Sequence, residues 1–255
     1  MRGVYCALRL ILITMKWIHF VFSIIILFIS SESIAQIKVG NDSVLVITYE
    51  LTNQLPHFKA SSTGKLLING AVSYYFTSNP SLKIDEADKI PGTIKYADSS
   101  FLLFNQPMMP HYDKYTYFSD SLHPMQWTLT GKKASINQRI GYEATTFFRG
   151  RYFTAFYDPT IPFNNGPVKF GGLPGLIIRL YDRDKLWDYE LKSIAKEPKV
   201  YTGNKIKFAG DYKMFLSIYP EWRRKLEEKL AANQSVDPNC PTCGSKNKHY
   251  SMEIY

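Results

Sequence analysis

The sequence predicts a mainly β protein of the α+β class, in which C-terminal helical segments pack on a curved antiparallel sheet or half-barrel. Three observations carry this prediction. Short runs rich in branched and aromatic residues recur along a chain that contains 18 Tyr and 16 Phe. Turn signals of hairpin length separate the runs, as is typical of antiparallel sheets. Helical spacing of apolar residues is found only after residue 211.

The N-terminal residues have the pattern of a signal peptide. Lys16 precedes an apolar run at 18–29, and small residues follow at 33–35 in the positions that a signal peptidase recognises. We therefore expect cleavage before Gln36. Export follows, to the periplasm, to the outer membrane or to the medium, and the mature chain has no transmembrane segment.

Three details complete the predicted organisation. Translation starts at Met1 or at Met15, since Met15 alone would begin a complete signal peptide. An uncleaved anchor helix is the alternative to cleavage, because residues 8–13 are also apolar. After a signal peptide at 1–35, we expect one β-rich domain at 36–232 and a polar, flexible tail at 233–255.

Strands are predicted throughout the domain, joined by short turns. Asn69-Gly70 is a strong hairpin signal. Gly131 and Arg149-Gly150 mark two further turns. The predicted strands are 43–51, 65–68, 71–76, 101–105, 115–118, 126–130, 133–137, 142–148, 151–157, 176–181, 186–194 and 205–208.

The stretch around Pro174 organises this prediction. Leu173-Pro174-Gly175-Leu176 fits a type II turn, with proline at the second position and glycine at the third. The strand at 176–181 follows directly, with one fully apolar face. We interpret this stretch as architecture rather than chemistry, since it carries no titratable group.

A family resemblance is centred on the same stretch. The string Gly172-Leu173-Pro174-Gly175-Leu176-Ile177 resembles the signature of the GLPGLI family of secreted bacterial proteins, and the resemblance extends over about 126–194. Members often have Cys where this chain has Glu143. The resemblance implies export and a β-rich domain but no established reaction. The residues before this string that support the resemblance are Trp127, Ile140, Gly141, Tyr142, Ala144, Phe148, Arg149, Gly150, Arg151, Ala155, Phe156, Tyr157, Ile161, Pro162, Gly166 and Pro167.

Helix is predicted near the C-terminus. Asp211 can cap a short helix at 212–218, and Pro220 suits the first turn of a second helix that reaches about residue 232. Trp222, Leu226 and Leu230 lie four residues apart and form an apolar stripe that we expect to dock on the sheet.

Three groups of side chains could carry chemistry. Cys240 and Cys243 form a disulfide or two exposed thiols in an oxidising compartment, or with His249 a metal or redox site; we favour the former. The second group is the His/carboxylate cluster, which could bind a metal but is more typical of surface loops: His111, Asp113, Asp120 and His123. Arg149 and Arg151 could contact an anion, although two Arg at a hairpin more often form a solvated face.

The composition favours a non-catalytic protein. No nucleophile motif, phosphate loop or dinucleotide fingerprint is found, and no cofactor is expected. The net charge of +9 lacks a basic block among stacking aromatics, so we predict attraction to anionic envelope surfaces rather than to nucleic acid.

Three functions follow from this composition. The first is an envelope protein whose concave sheet binds an apolar ligand, a peptide or a partner protein. Metal-binding or thiol-redox activity of the tail cysteines is the second, and strand addition by a structural protein is the third.

Overall fold

Twelve strands of the described residues form one sheet, and one helix packs against it. The structure is a computed structural model that describes residues 43–55, 58–78, 92–97, 102–105, 116–121, 125–198 and 206–233. The chain divides into two units, Met1–Gln36 and Ile37–Tyr255, and all described residues belong to the second. The elements are β1 Val44–Leu55, β2 Phe58–Asn69, β3 Val72–Ser78, β4 Thr93–Tyr96, β5 Leu102–Phe104, β6 Thr116–Asp120, β7 Thr128–Ile136, β8 Arg139–Phe148, β9 Arg151–Asp158, β10 Leu176–Asp182, β11 Trp187–Glu197, β12 Lys207–Asp211 and α1 Tyr212–Asn233.

The sheet is open and strongly curled. Its strand order is β12-β6-β5-β4-β3-β2-β1-β11-β10-β9-β8-β7. Eight strand spacings separate β6 from β9, or about 38 Å in a flat sheet. Arg149, in the turn before β9, nevertheless forms an ion pair of 2.5 Å with Asp120 at the end of β6. The curved, mainly β architecture with a C-terminal helix is therefore confirmed.

The central strands follow from their alternating sequence. Leu45, Ile47 and Tyr49 of β1 share one face with Leu66 of β2, and all four are at most 2% exposed. We call this side of the sheet the inner face. The hairpin at Asn69 is confirmed, and its two turn residues are Gly70 and Ala71, since Asn69 pairs with Val72.

The predicted hairpin at Gly131 is wrong. Residues 126–130 and 133–137 are not partners, because 128–136 is the single strand β7 with a register irregularity between Leu129 and Lys133. The chain turns at Asn137 and Gln138, both with positive φ, and then pairs as β8. The next hairpin, with its turn at Arg149-Gly150, is confirmed.

The turn before β10 is tighter than the predicted type II turn. The Gly175 N–H donates to the Leu173 carbonyl at 2.7 Å, which closes a three-residue turn centred on Pro174. Gly175 has φ +147°, and a Cβ there would collide with the carbonyl of Asp158. Both the backbone conformation and the close approach therefore require glycine. The strand at 176–181 is confirmed as β10 and pairs with β9 and β11.

The C-terminal elements correct two further predictions. β12 pairs with β6 in parallel, so the sheet is not wholly antiparallel. One helix, α1, replaces the two predicted helices and contains Pro220 in its interior. The cap is as predicted, since the Asp211 carboxylate accepts a bond of 2.9 Å from the Met214 N–H.

Helix α1 docks on the sheet through aromatic side chains. Tyr212, Phe215, Tyr219 and Trp222 are at most 6% exposed and pack against β5 and β6. The Phe215 ring lies 5.0 Å from that of Phe104. The side chains of residues 226 and 230 lie outside the described ones. No helix of the described residues is long and apolar enough to cross a membrane.

Candidate functional site

An irregular stretch of chain lies over the inner face of the sheet. We call residues 159–175, between β9 and β10, the covering segment. Asp158, the last residue of β9, turns the chain into this segment. Its carboxylate accepts bonds from the Thr160 N–H at 2.9 Å and the Thr160 hydroxyl at 2.6 Å. Ile161, Phe170 and Leu173 are at most 2% exposed and belong to the same core as the inner face. The concave side of the sheet is therefore filled here by the chain itself.

A row of polar residues crosses this apolar face at one level of the sheet. The strand registers pair Ser73 with Lys95, Lys95 with Leu102, and Leu102 with Asp120. Directly paired residues point to the same side of a sheet. Ser73, Lys95 and Asp120 are at most 8% exposed, so the row lies beneath the covering segment.

The first two members of this row hold the covering segment by hydrogen bonds. The Asn165 amide donates to the Ser73 hydroxyl at 2.9 Å. Lys95 Nζ donates to the carbonyls of Gly166 at 2.7 Å and Phe170 at 2.9 Å. These acceptors are uncharged, and burial lowers the pKa of the Lys95 amine to about 7.

The third member, Asp120, lies in a buried cluster of charges. Its carboxylate contacts Arg149 at 2.5 Å and Lys169 of the covering segment at 3.3 Å. Both cations also face aromatic rings: Lys169 Nζ lies 3.9 Å from the centre of Phe104, and the Arg149 guanidinium 3.6 Å from that of Tyr212. One carboxylate thus connects the covering segment, the β8–β9 turn and the end of β6.

Aromatic side chains pack against the C-terminal part of the covering segment, at Phe170 and Gly171. The Phe170 ring lies 4.6 Å from Phe153 and 6.1 Å from Phe148. Trp127 packs on the same ring and donates its indole N–H to the Gly171 carbonyl at 2.8 Å. This end is therefore held mainly by apolar contact.

The six signature residues lie at the exit of the covering segment. Gly172 precedes the turn, Leu173, Pro174 and Gly175 form it, and Leu176 and Ile177 open β10. The Ile177 carbonyl accepts a bond of 2.8 Å from the hydroxyl of Tyr49. The Ile177 side chain lies against Gly166, where a Cβ would come within 2.7 Å of it.

The two candidate arginines contact carboxylates of the protein itself. Arg149 meets Asp120, and Arg151 lies 3.5 Å from Asp182. Their side chains are 7% and 12% exposed, so they do not form the solvated face that hairpin arginines usually form. Burial raises the pKa of Asp182, and Arg151 opposes that shift.

Most of the candidate metal and thiol residues lie outside the described residues. Of the His/carboxylate cluster, only Asp120 is described. Within the described ranges no three His, Cys, Asp or Glu side chains group as metal ligands. The residues outside them are His111, Asp113, His123, Cys240, Cys243 and His249.

Lys95 and Lys169 are not among the candidate residues that the sequence predicts. Lys95 lies in β4, a strand of four residues that was not predicted. A lysine between Ile94 and Tyr96 alternates like a solvent-facing residue, and nothing local shows that both sides of this strand are buried. Lys169 precedes Phe170 within irregular chain, where no period indicates burial.

A family model overlaps the covering segment. It is described as a protein of unknown function (Porph_ging), and it matches residues 118–179, less than half of the chain. These residues run from β6 to β10 and include Asp120, Arg149, Lys169 and the signature. The match is consistent with the resemblance of this region to a GLPGLI-type family. A search of curated proteins gives no match.

Solved structures share the fold at low identity. Two crystal forms of PNGF-II align with 71% of this chain: the P21 form at TM-score 0.50 and 14% identity, and the C2 form at TM-score 0.51 and 13% identity. The aligned part covers only 34% and 33% of the PNGF-II chains. At such identities the likeness concerns the fold alone.

A third solved structure superposes less well on this chain. The LolA superfamily protein NE2245 from Nitrosomonas europaea aligns with 65% of this chain and 90% of its own, at 12% identity. Its TM-score is 0.28.

Proposed function

We propose that this chain is an exported, non-catalytic binding module that holds an apolar ligand between the inner face of its curled sheet and the covering segment. The signal-peptide pattern before Gln36 supports export. The inner face supports an apolar ligand, because most of its buried residues on β1, β2, β9, β10 and β11 are aliphatic or aromatic.

The observation that carries this proposal is the kind of chain that covers the inner face. Neither a second sheet nor a helix covers it between β3 and β9, in the part of the chain that the structure describes. An irregular segment does so, held by polar contacts at Ser73, Lys95 and Asp120. Irregular segments open at lower free energy than paired strands.

An apolar ligand that displaces the covering segment would replace buried apolar side chains with apolar groups of its own. Phe170 and Leu173 place their side chains against the inner face, and both are 1% exposed. An apolar ligand of similar bulk would bury the same lining that these side chains now bury. The cost of moving them out is therefore offset by the contacts that the ligand makes.

The test is binding of an apolar fluorescent probe. The protein is expressed as the full chain, purified, and titrated with N-phenylnaphthylamine, whose emission rises in apolar surroundings. We expect saturable binding, and weaker binding after Ala155→Leu, because Ala155 lies on the inner face and is 0% exposed. The matched control is Thr154→Leu, which adds bulk to the neighbouring residue on the outer face.

Circular dichroism of both variants shows whether they fold. The proposal fails if the folded wild-type protein gives no saturable signal. It also fails if Ala155→Leu and Thr154→Leu bind the probe equally.

A further inference from the structure

Lys95 is a buried amine on a mainly apolar face. It lies on β4 between Ser73 of β3 and Leu102 of β5 and is 8% exposed. Apolar side chains, among them Ile68 and Phe170, surround this level of the sheet. A lysine here is costly unless its nitrogen has partners.

The partners of Lys95 are two backbone carbonyls, and both belong to the covering segment. A neutral amine has two N–H groups, so these two carbonyls accept from both of its donors. The lowered pKa, near 7, agrees with an amine that is partly neutral in the closed state. By contrast, Lys169 and Arg149 already contact the carboxylate of Asp120.

Opening of the covering segment would remove both acceptors at once. Gly166 and Phe170 supply them, and Phe170 also supplies the bulk that a ligand would replace. A ligand that is wholly apolar would leave the Lys95 nitrogen buried without a hydrogen-bond acceptor. A ligand with an acidic group at this level would give the amine a charged acceptor, which forms a stronger bond than a carbonyl does.

We propose that the ligand is an amphiphile with one apolar chain and one anionic head group, and that Lys95 binds the head group. This inference rests on the proposed function, since it names the chemical class of the ligand for the same site. Ser73 lies beside Lys95 in the register, and its hydroxyl can donate to the same head group once Asn165 has moved away. The apolar chain then lies along the inner face.

The test compares two ligands that differ only in the head group. Dodecanoate and dodecanol compete with N-phenylnaphthylamine for the full-length protein at pH 6. We expect dodecanoate to bind about tenfold more tightly than dodecanol, because only the carboxylate forms a charge-assisted bond with Lys95. In Lys95→Met the difference should disappear, whereas Lys65→Met, on the outer face of β2, should keep it.

The outcomes separate the two proposals. If neither compound displaces the probe, the proposed function fails. If both displace it from the wild-type protein with equal affinity, the proposed function stands and the head-group inference is wrong. A preference that persists in Lys95→Met also overturns the inference.

A second measurement needs no variant. The carboxylate stays ionised between pH 6 and pH 9, whereas Lys95 loses its charge over the same range. We expect the preference for dodecanoate to shrink severalfold as the pH rises. A preference that is constant with pH contradicts a role for Lys95.

Discussion

Burial of Lys95 makes the stability of the protein depend on pH. Its pKa is about 7 in the folded chain, whereas a lysine in an unfolded chain titrates near 10.4. Between these values the unfolded chain binds a proton that the folded chain has released. The free energy of unfolding therefore rises with pH from about 7 to 10, by at most about 1.4 kcal/mol per pH unit.

The measurement compares urea unfolding of the wild-type protein and Lys95→Met at several pH values. We expect the wild-type protein to gain stability relative to the variant between pH 7 and pH 9.5. Above that range the buried tyrosines act in the opposite direction, because burial raises the pKa of Tyr49, Tyr75 and Tyr189 in the folded state. Leu66→Met controls for repacking of the inner face and should keep the wild-type slope. Parallel curves for wild type and Lys95→Met would contradict the burial of a titrating amine.

Residue identity alone does not show which partners a charged side chain has. The sequence links Asp120 with His123, because the two are close in the chain. The described partners of Asp120 are Arg149 and Lys169, 29 and 49 positions away in the sequence. Such pairs form only after the sheet has curled, so no local pattern encodes them.

At the scale of elements, local signals predict strands better than their pairing. The Arg149-Gly150 hairpin is confirmed because its turn residues and flanking strands agree. Gly131 gives an equally strong local signal, but it marks an irregularity within β7. Asn137 and Gln138 form the true turn at positive φ, a conformation that Asn tolerates. Pairing with β8 on both sides of that irregularity decides between the two sites.

The edges of the sheet bear on strand addition as a function. β7 is one edge, and its register irregularity lies beside Lys132 and Lys133. β12 is the other edge and has only five residues. Bulges, lysines and short edge strands all oppose pairing with another chain. The described edges therefore favour ligand binding over strand addition.

Helix α1 yields a prediction at this scale, because it contains Pro220. Proline lacks the N–H that would bond to the Leu216 carbonyl, and its ring crowds the preceding turn. We expect Pro220→Ala to raise the free energy of unfolding by about 1–3 kcal/mol. Thermal unfolding monitored by circular dichroism measures the change.

The control for this prediction is Lys213→Ala, at an exposed position of the same helix. It should change stability by a few tenths of a kcal/mol at most. A loss of stability in Pro220→Ala would contradict the expected cost of a proline inside the helix.

At the scale of the whole molecule, curvature creates the site. The inner face is concave because β6 and the β8–β9 turn meet across eight strand spacings. The mainly β class follows from alternating residues, but this closure does not, since it depends on contacts between distant parts of the chain. The same contacts place Lys169 and Phe170 over the inner face. The covering segment and the curl of the sheet are thus one structural feature.

Asp120 contacts both Arg149 and Lys169 where the sheet closes, and Asp120→Asn tests how much these contacts stabilise the closure. The substitution keeps the shape of the side chain but leaves Arg149 and Lys169 without the charge that they share. Removing one partner from a buried ion pair costs about 3–5 kcal/mol, and we expect a loss of that size in urea unfolding. Asp188→Asn breaks a more exposed pair with Arg179, at 2.9 Å, and should cost less than about 1 kcal/mol. Since the covering segment is held by the same carboxylate, Asp120→Asn should also bind the apolar probe at lower concentration than the wild-type protein does. Equal losses of stability in the two variants would show that the Asp120 cluster does not close the sheet.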